Sequence, residues 1–368
     1  MKISFLVPSA YGMRGDTRAV LNLAAGLASR HEVEIISVRR VRETPFFPVD
    51  RRLSMRWLID ARPGVRHILP GGQMRTEMAL WRALRGLRAD VLVTTRAALS
   101  VQAARHVPRE TLRLAREWTR PAVPAPVRRF YPKLDAVVTS TETARDDFAR
   151  VFDGAARPRL EVVPDALPQG PWPRSRMDNR IVSAGGRWLP GKAFDQLINA
   201  FAIVADKRPD WRLRLYGGGP EEKRLRALVG RLNLHNNVYF MGTTPDLQGE
   251  FAKASLVAVT SLAESPGMTV IEALGCGVPV VGFAGARGAG EFVTPGRDSV
   301  LVPRGEDEVE AFASAMLTLI DDERRRMVLA AGALESAAAR HAGSVIAAQW
   351  EYLADDLRGR GAKVASGR

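Results

Sequence analysis

The stretch Glu264-Ser265-Pro266-Gly267-Met268-Thr269-Val270-Ile271-Glu272, continued by Ala273-Leu274-Gly275-Cys276-Gly277-Val278-Pro279-Val280-Val281, sets a turn, a short helix and a strand in close succession. Pro266 and Gly267 break the chain, an apolar helical run starts near Met268, and Gly275 and Gly277 stop it. Residues 278–283 then read as a buried strand. The free N–H groups and positive dipole end of such a helix form a phosphate site. Glu272 lies one turn in from Met268 on the same face, where its carboxylate can accept hydrogen bonds from hydroxyls on the phosphate carrier. Glu264 sits on the loop ahead of the helix, within reach of a second hydroxylated group. One phosphate site between two carboxylates suits a sugar nucleotide.

The same alternation runs through the chain. Strand-like segments at 3–7, 32–38, 91–95, 136–140 and 160–163 are interleaved with helical ones at 17–29 and 143–152. Residues 40–85 carry scattered Pro, Arg and aromatics with poor periodicity and give no order. Pro164-Asp165-Ala166-Leu167-Pro168-Gln169-Gly170-Pro171-Trp172-Pro173-Arg174 is a proline-dense break. Beyond it the pattern restarts, with strands at 180–184, 212–216, 238–240 and 256–260 and helices at 194–206 and 221–232. The expectation is two α/β domains with parallel sheets and a cleft between them, at 1–168 and 169–344, with 345–368 returning to the first. In such sheets ligands sit beyond the carboxyl ends of the strands, where the glycine loops fall.

At 368 residues the chain is too long for one ordinary core, and 46% hydrophobic with 7% aromatic is a normal soluble composition. The single cysteine excludes a disulfide framework. Met1-Lys2-Ile3-Ser4-Phe5-Leu6-Val7-Pro8 reads as a strand ended by proline rather than a signal peptide, and no apolar run approaches the roughly 20 residues of a membrane helix. A cytoplasmic protein is expected. The net charge of +14 is lopsided. Residues 1–175 hold 30 Lys and Arg against 17 Asp and Glu, a balance of +13, while the remainder balances to +1. Two readings stand: arginine bias on a solvated surface, or a first half that meets an anionic polymer or the inner face of a membrane. No nucleic-acid module accompanies the charge.

After the 180–184 strand comes Gly185-Gly186-Arg187-Trp188-Leu189-Pro190-Gly191-Lys192. Glycines let backbone approach a ligand, and two fixed cations flanking the turn suit the charge that develops on a leaving diphosphate. Metal use has no support: Asp-x-Asp is absent and the five histidines lack ligand spacing, so neither metal nor cofactor is expected. No G-x-S-x-G is present. Gly12-Met13-Arg14-Gly15 falls short of a dinucleotide fingerprint, and Cys276 between two glycines reads as a packed residue.

Together these segments resemble the family 4 glycosyltransferases, retaining enzymes of the α/β GT-B fold. Glu264–Glu272 is similar to that family's E-x7-E, and Arg187 with Lys192 to its diphosphate-binding cations. Leu215-Tyr216-Gly217-Gly218-Gly219-Pro220 and Asn237-Val238-Tyr239-Phe240-Met241-Gly242 are similar to its other glycine turns. The resemblance is specific over about 180–303. It implies that Glu272 binds ribose hydroxyls, while Glu264 and the backbone of Pro266, Gly267, Met268 and Thr269 hold the sugar. It implies that Arg187 and Lys192 grip the diphosphate, and that Gly15, Gly186 and Gly218 let backbone approach it. It further implies a final helix that includes 349–357 and crosses back to the first domain.

Three positions depart from the family pattern: Arg14 stands for a glycine, Trp118 for a histidine and Asp165 for an asparagine. With Arg18 they are the acceptor-side candidates. Arg14-Gly15-Asp16-Thr17-Arg18-Ala19-Val20-Leu21-Asn22 and Phe130-Tyr131-Pro132-Lys133-Leu134-Asp135 resemble bacterial enzymes that glycosylate poly(glycerol-phosphate). The expected activity is metal-independent, retaining hexosyl transfer from a nucleotide-diphosphate sugar, UDP-linked, to an acceptor hydroxyl on an anionic polymer or lipid. The alternatives are a sugar-nucleotide binder without catalysis, and a glycosidase using Glu264 and Glu272.

Overall fold

The computed structural model describes residues 1–65, 73–120, 123–152, 157–262, 267–286 and 289–366; Glu264 and Pro266 lie outside these residues. The chain divides into two compact units, Met1–Gln169 with Ala342–Arg368, and Gly170–His341.

In the first unit the strands are β1 (Lys2–Val7), β2 (Glu32–Arg40), β3 (Ser54–Asp60), β4 (Val91–Thr95), β5 (Leu112–Glu117), β6 (Ala136–Thr139) and β7 (Arg159–Val162). Helices α1 (Gly15–Leu27), α2 (Gln73–Arg85), α3 (Ala97–His106), α4 (Pro124–Phe130) and α5 (Glu142–Val151) alternate with them. Among the described residues the sheet has the order β3-β2-β1-β4-β5-β6-β7, parallel at every pairing. β4 is buried throughout because helices cover both faces of a parallel sheet.

The second unit repeats the plan with β8 (Ile181–Arg187), β9 (Arg212–Gly218), β10 (Val238–Gly242), β11 (Leu256–Val259), β12 (Val280–Phe283) and β13 (Ser299–Val302). Its helices are α6 (Phe194–Lys207), α7 (Glu222–Arg231), α8 (Leu247–Phe251), α9 (Met268–Gly275), α10 (Ala289–Phe292), α11 (Glu308–Asp321) and α12 (Glu323–His341). The order is β10-β9-β8-β11-β12-β13, again parallel, with the direction of winding reversed between β8 and β11. α6 shows how the core forms. Phe194, Leu197, Ile198, Phe201 and Val204 recur at helical spacing and are buried against Leu213 and Leu215 of β9 and Phe312 and Met316 of α11. These are two Rossmann-like units.

α13 (Gly343–Ser366) belongs to the first unit. Gly26 of α1 meets the backbone of Gly343, where an added Cβ would lie 3.0 Å from its carbonyl oxygen. Glu351 accepts from Arg30 at 2.8 Å and pairs with the His31 ring at 3.0 Å, and Trp350 and Leu353 are buried.

Two strands carry no readable alternation. β3 is an edge strand with only Ile59 buried, so Arg and Trp stand in it freely. β5 reads Leu-Arg-Leu-Ala-Arg-Glu, yet Arg116 and Glu117 are buried because partners from other segments satisfy them. No helix among the described residues is long and apolar enough to cross a membrane.

Candidate functional site

In the second unit the candidate residues that are described gather at the carboxyl ends of β8, β9 and β11, where the winding reverses. This is the position at which open α/β sheets bind ligands. Each of three loops is tied to its neighbours through backbone. Trp188 N–H donates to the Gly218 carbonyl at 3.0 Å and the Trp188 carbonyl accepts from Glu221 N–H at 3.2 Å, which fixes the loop after β8 against the loop after β9. Leu262 N–H donates to the Gly191 carbonyl at 3.0 Å, and the Thr260 hydroxyl donates to the Lys192 carbonyl at 3.1 Å. These two bonds clip the cation-bearing loop to the segment that leads towards Glu264. The Thr269 hydroxyl, in the first turn of α9, donates to the Gly185 carbonyl at 3.4 Å.

Glycine is required at two of these points. Gly217 has φ +141°, and an added Cβ would lie 1.9 Å from the Gly186 carbonyl oxygen on the paired strand. At Gly267 an added Cβ would lie 2.4 Å from the buried ring of Phe292.

Helix α9 spans the residues expected for it. Gly267 is its N-cap residue and has no side chain to cap it, and among the described residues no carboxylate stands in its first turn. An amino end of this kind presents N–H groups and a positive field that suit an anion. The other end closes as a Schellman motif: Val278 N–H reaches the Ala273 carbonyl, Gly277 N–H reaches that of Leu274, and Gly277 has φ +66°. Cys276 is buried with its thiol donating to the Gln248 carbonyl at 3.4 Å, a packed residue as expected. Met268 and Glu272 are buried, Thr269 and Lys192 half-buried, and Arg187 exposed.

Two residues of this region were not legible in the sequence. Trp188 lies inside the cation-bearing loop, almost fully buried, edge-on to Phe240 with ring centroids 5.4 Å apart. Arg304, beyond β13, donates to the Thr260 carbonyl at 3.3 Å and pairs with Glu308 at 3.1 Å, a third cation beside the clipped loop.

The remaining candidates lie in the first unit. Gly15 opens α1, whose N-cap Arg14 pairs with Asp16 at 3.1 Å; Asp16 also contacts Arg96. Arg18, one turn in, is buried with its guanidinium 5.2 Å from the centre of the Phe47 ring. Trp118 and Asp165 are together. Both Asp165 oxygens accept from the Trp118 indole N–H at 3.0 Å, and Arg116 donates to Asp165 at 2.7 Å and to the carbonyls of Thr139 and Val163. Expected to face an acceptor, both are held beneath the surface by each other, because an indole N–H and a carboxylate leave water only for such partners. Any influence of theirs on an acceptor passes through the position of their neighbours.

Glu117, beside Trp118, accepts from Tyr131 at 2.5 Å and Ser100 at 3.1 Å. Burial pushes its carboxyl up from 4.5 to about 7 against the effect of those hydrogen bonds. The proton stays on in the folded state while an unfolded chain ionises. Stability is therefore full below about pH 4.5, falls by about 3 kcal/mol as the pH rises to about 7, and is flat above. Glu117→Gln is expected to flatten that part of the pH dependence. Urea midpoints at about pH 5 and about pH 8 check this, and an unchanged slope in the variant would assign it elsewhere.

Among the described residues no group of three His, Cys, Asp or Glu is placed to hold a metal ion.

Residues 173–335 match the family described as glycosyl transferases group 1. The chain is 34% identical over 391 residues to an exopolysaccharide phosphotransferase of Streptomyces coelicolor, a match covering 98% of this chain and 41% of that protein. The chain thus spans about two fifths of the length of that relative. A sucrose-phosphate synthase of Thermosynechococcus elongatus superposes with a TM-score of 0.79 over 98% of this chain and 100% of its own, at 18% identity. The Anabaena protein HepE, in a complex with UDP and glucose, superposes with a TM-score of 0.73 over 96% of this chain and 98% of its own, at 20% identity. The chain thus has the GT-B fold, and its second unit holds the residues that match the glycosyl transferases group 1 family.

Proposed function

We propose that the chain is a metal-independent, retaining glycosyltransferase that moves a hexose from a nucleotide-diphosphate sugar to an acceptor hydroxyl. The observation that carries this reading is the clip between the Arg187–Lys192 loop and residues 260–262, with Thr269 in the first turn of α9 bonded to Gly185 of β8. It supports a reading in which two cations and a helix dipole act together at the switch point of one sheet. Together they suit a diphosphate whose charge grows as the bond to the sugar breaks.

In this account Arg187 and Lys192 hold the diphosphate, with the N–H groups of Met268 and Thr269 at its other side. Gly186 and Gly218 admit backbone close to it. Glu272 accepts hydrogen bonds from the ribose, and Glu264 with the backbone of Pro266 and Gly267 holds the sugar near its reacting carbon. The bond from the anomeric carbon to phosphate oxygen breaks and the bond to the acceptor oxygen forms on the same face. The acceptor's proton passes to the departing phosphate oxygen, so no separate base is required. Arg14, Gly15 and Arg18, at the amino end of α1, are the first unit's own candidates for ligand contact. HepE's complex with UDP supports uridine as the base, and the +13 balance of residues 1–175 supports an anionic acceptor, polymer or lipid-linked.

A second reading follows from the name of the Streptomyces relative: transfer of a sugar phosphate rather than a sugar. The products separate the two, since hexosyl transfer releases a nucleoside diphosphate and sugar-phosphate transfer a nucleoside monophosphate. Glu264→Gln is expected to reduce diphosphate release by about a hundredfold while nucleotide affinity stays within a few-fold. Unchanged turnover would remove Glu264 from the mechanism. Monophosphate release would favour the second reading, and tight donor binding with neither product across acceptors would leave a non-catalytic binder.

A further inference from the structure

α2 is amphipathic in an unusual way. Leu80 and Leu84, with Leu87 just past its end, face the core formed by Leu6, Ile36 and Leu92. The opposite side is not simply polar. Met74 is 80% exposed, Met78 44% and Trp81 41%, and their spacing of four and three residues aligns them on one stripe. Arg85 continues the stripe one turn on, with its guanidinium 5.1 Å from the centre of the Trp81 ring. Arg82 and Arg88 are exposed alongside. Residues 73–88 contain four arginines and a single carboxylate, Glu77, whose side chain accepts from Gln73 at 3.1 Å.

We propose that this outer face of α2 docks the first unit on an anionic lipid bilayer, with the helix lying in the plane of the interface. A bilayer accepts both halves of the stripe. Methionines and the indole enter the boundary between headgroups and acyl chains, and the arginines meet lipid phosphates. A soluble polyanion would neutralise the arginines but leave three large apolar side chains in water. A second copy of the chain, docking by the same face, would oppose arginine to arginine. The inference does not rest on the transfer reading, because vesicle binding is measured without donor or acceptor.

The test is flotation of the full chain with phosphatidylcholine vesicles containing about one-third phosphatidylglycerol, against vesicles of phosphatidylcholine alone. Two double variants are compared, Met78→Ser with Trp81→Ser and Arg82→Gln with Arg85→Gln; Met74→Ser is the control should either disturb folding. Each double variant is expected to lower partitioning onto the anionic vesicles by about tenfold or more, and Met74→Ser by a smaller factor. Partitioning that is unchanged in both double variants would overturn the proposal. So would binding to soluble polyphosphate as tight as to vesicles and insensitive to Trp81. Concentration-dependent dimerisation lost with Trp81→Ser would overturn it in favour of a second copy.

Discussion

Lys192→Ala is expected to lower kcat/KM for hexosyl transfer by about a hundredfold to a thousandfold, the range for removing one preorganised donor from a developing oxyanion. The loop that carries Lys192 is held by main chain. Its N–H donates to the Leu189 carbonyl at 2.9 Å, its carbonyl accepts from Thr260, and Gly191 accepts from Leu262. Alanine keeps these bonds, so the substitution reads the lost charge rather than a lost loop. UDP affinity should fall far more than uridine affinity, because only the diphosphate meets the cation. Equal losses for nucleotide and nucleoside, measured by titration calorimetry, would separate Lys192 from the diphosphate. Arg187→Ala should act in the same direction.

Asp165→Ala is expected to destabilise the first unit by about 3–5 kcal/mol, the cost of breaking a dehydrated ion pair from one side. Arg116 and Asp165 are 2% and 3% exposed in their side chains. Without the carboxylate, Arg116 keeps the carbonyls of Thr139 and Val163 but loses its counter-charge, and the Trp118 indole loses the acceptor it has at 3.0 Å. Asp165→Asn retains an acceptor for the indole and should fall between the two. Joint replacement, Arg116→Met with Asp165→Leu, should recover most of the loss because no buried charge remains. Urea unfolding of the four proteins checks this. A single variant within about 1 kcal/mol of the parent would mean that water reaches the pair.

The second unit was readable because its signals are local. Turn glycines, the stop at Gly275 and Gly277, and the spacing of Arg187 and Lys192 all act over a few residues. The boundaries of α9 and most strands accordingly fall within a few residues of their expected places. What escaped depends on contacts across the sequence. β5 carries Arg116 and Glu117 inside a buried strand, which Asp165, Tyr131, Ser100 and the carbonyls of Thr139 and Val163 make tolerable, and Asp165 is 47 residues from Trp118. The parallel register of β5, β6 and β7 brings them together. Arg304 reaches Thr260 across 44 residues for the same reason. Trp118 and Asp165 looked like two separate departures from a family pattern. In the structure they are one, since the indole N–H supplies a donor that the carboxylate accepts.

The second unit is proposed to bind a nucleoside diphosphate sugar without metal. Thermal unfolding with UDP, GDP, ADP and dTDP sugars, each in the presence of EDTA, tests it most directly. A ligand at about 100 times its Kd adds about 2.7 kcal/mol. One nucleotide series, UDP, is expected to raise the midpoint clearly, and Lys192→Ala to abolish the rise. No response to any of the four at millimolar concentration, or a response that vanishes with EDTA, would contradict it.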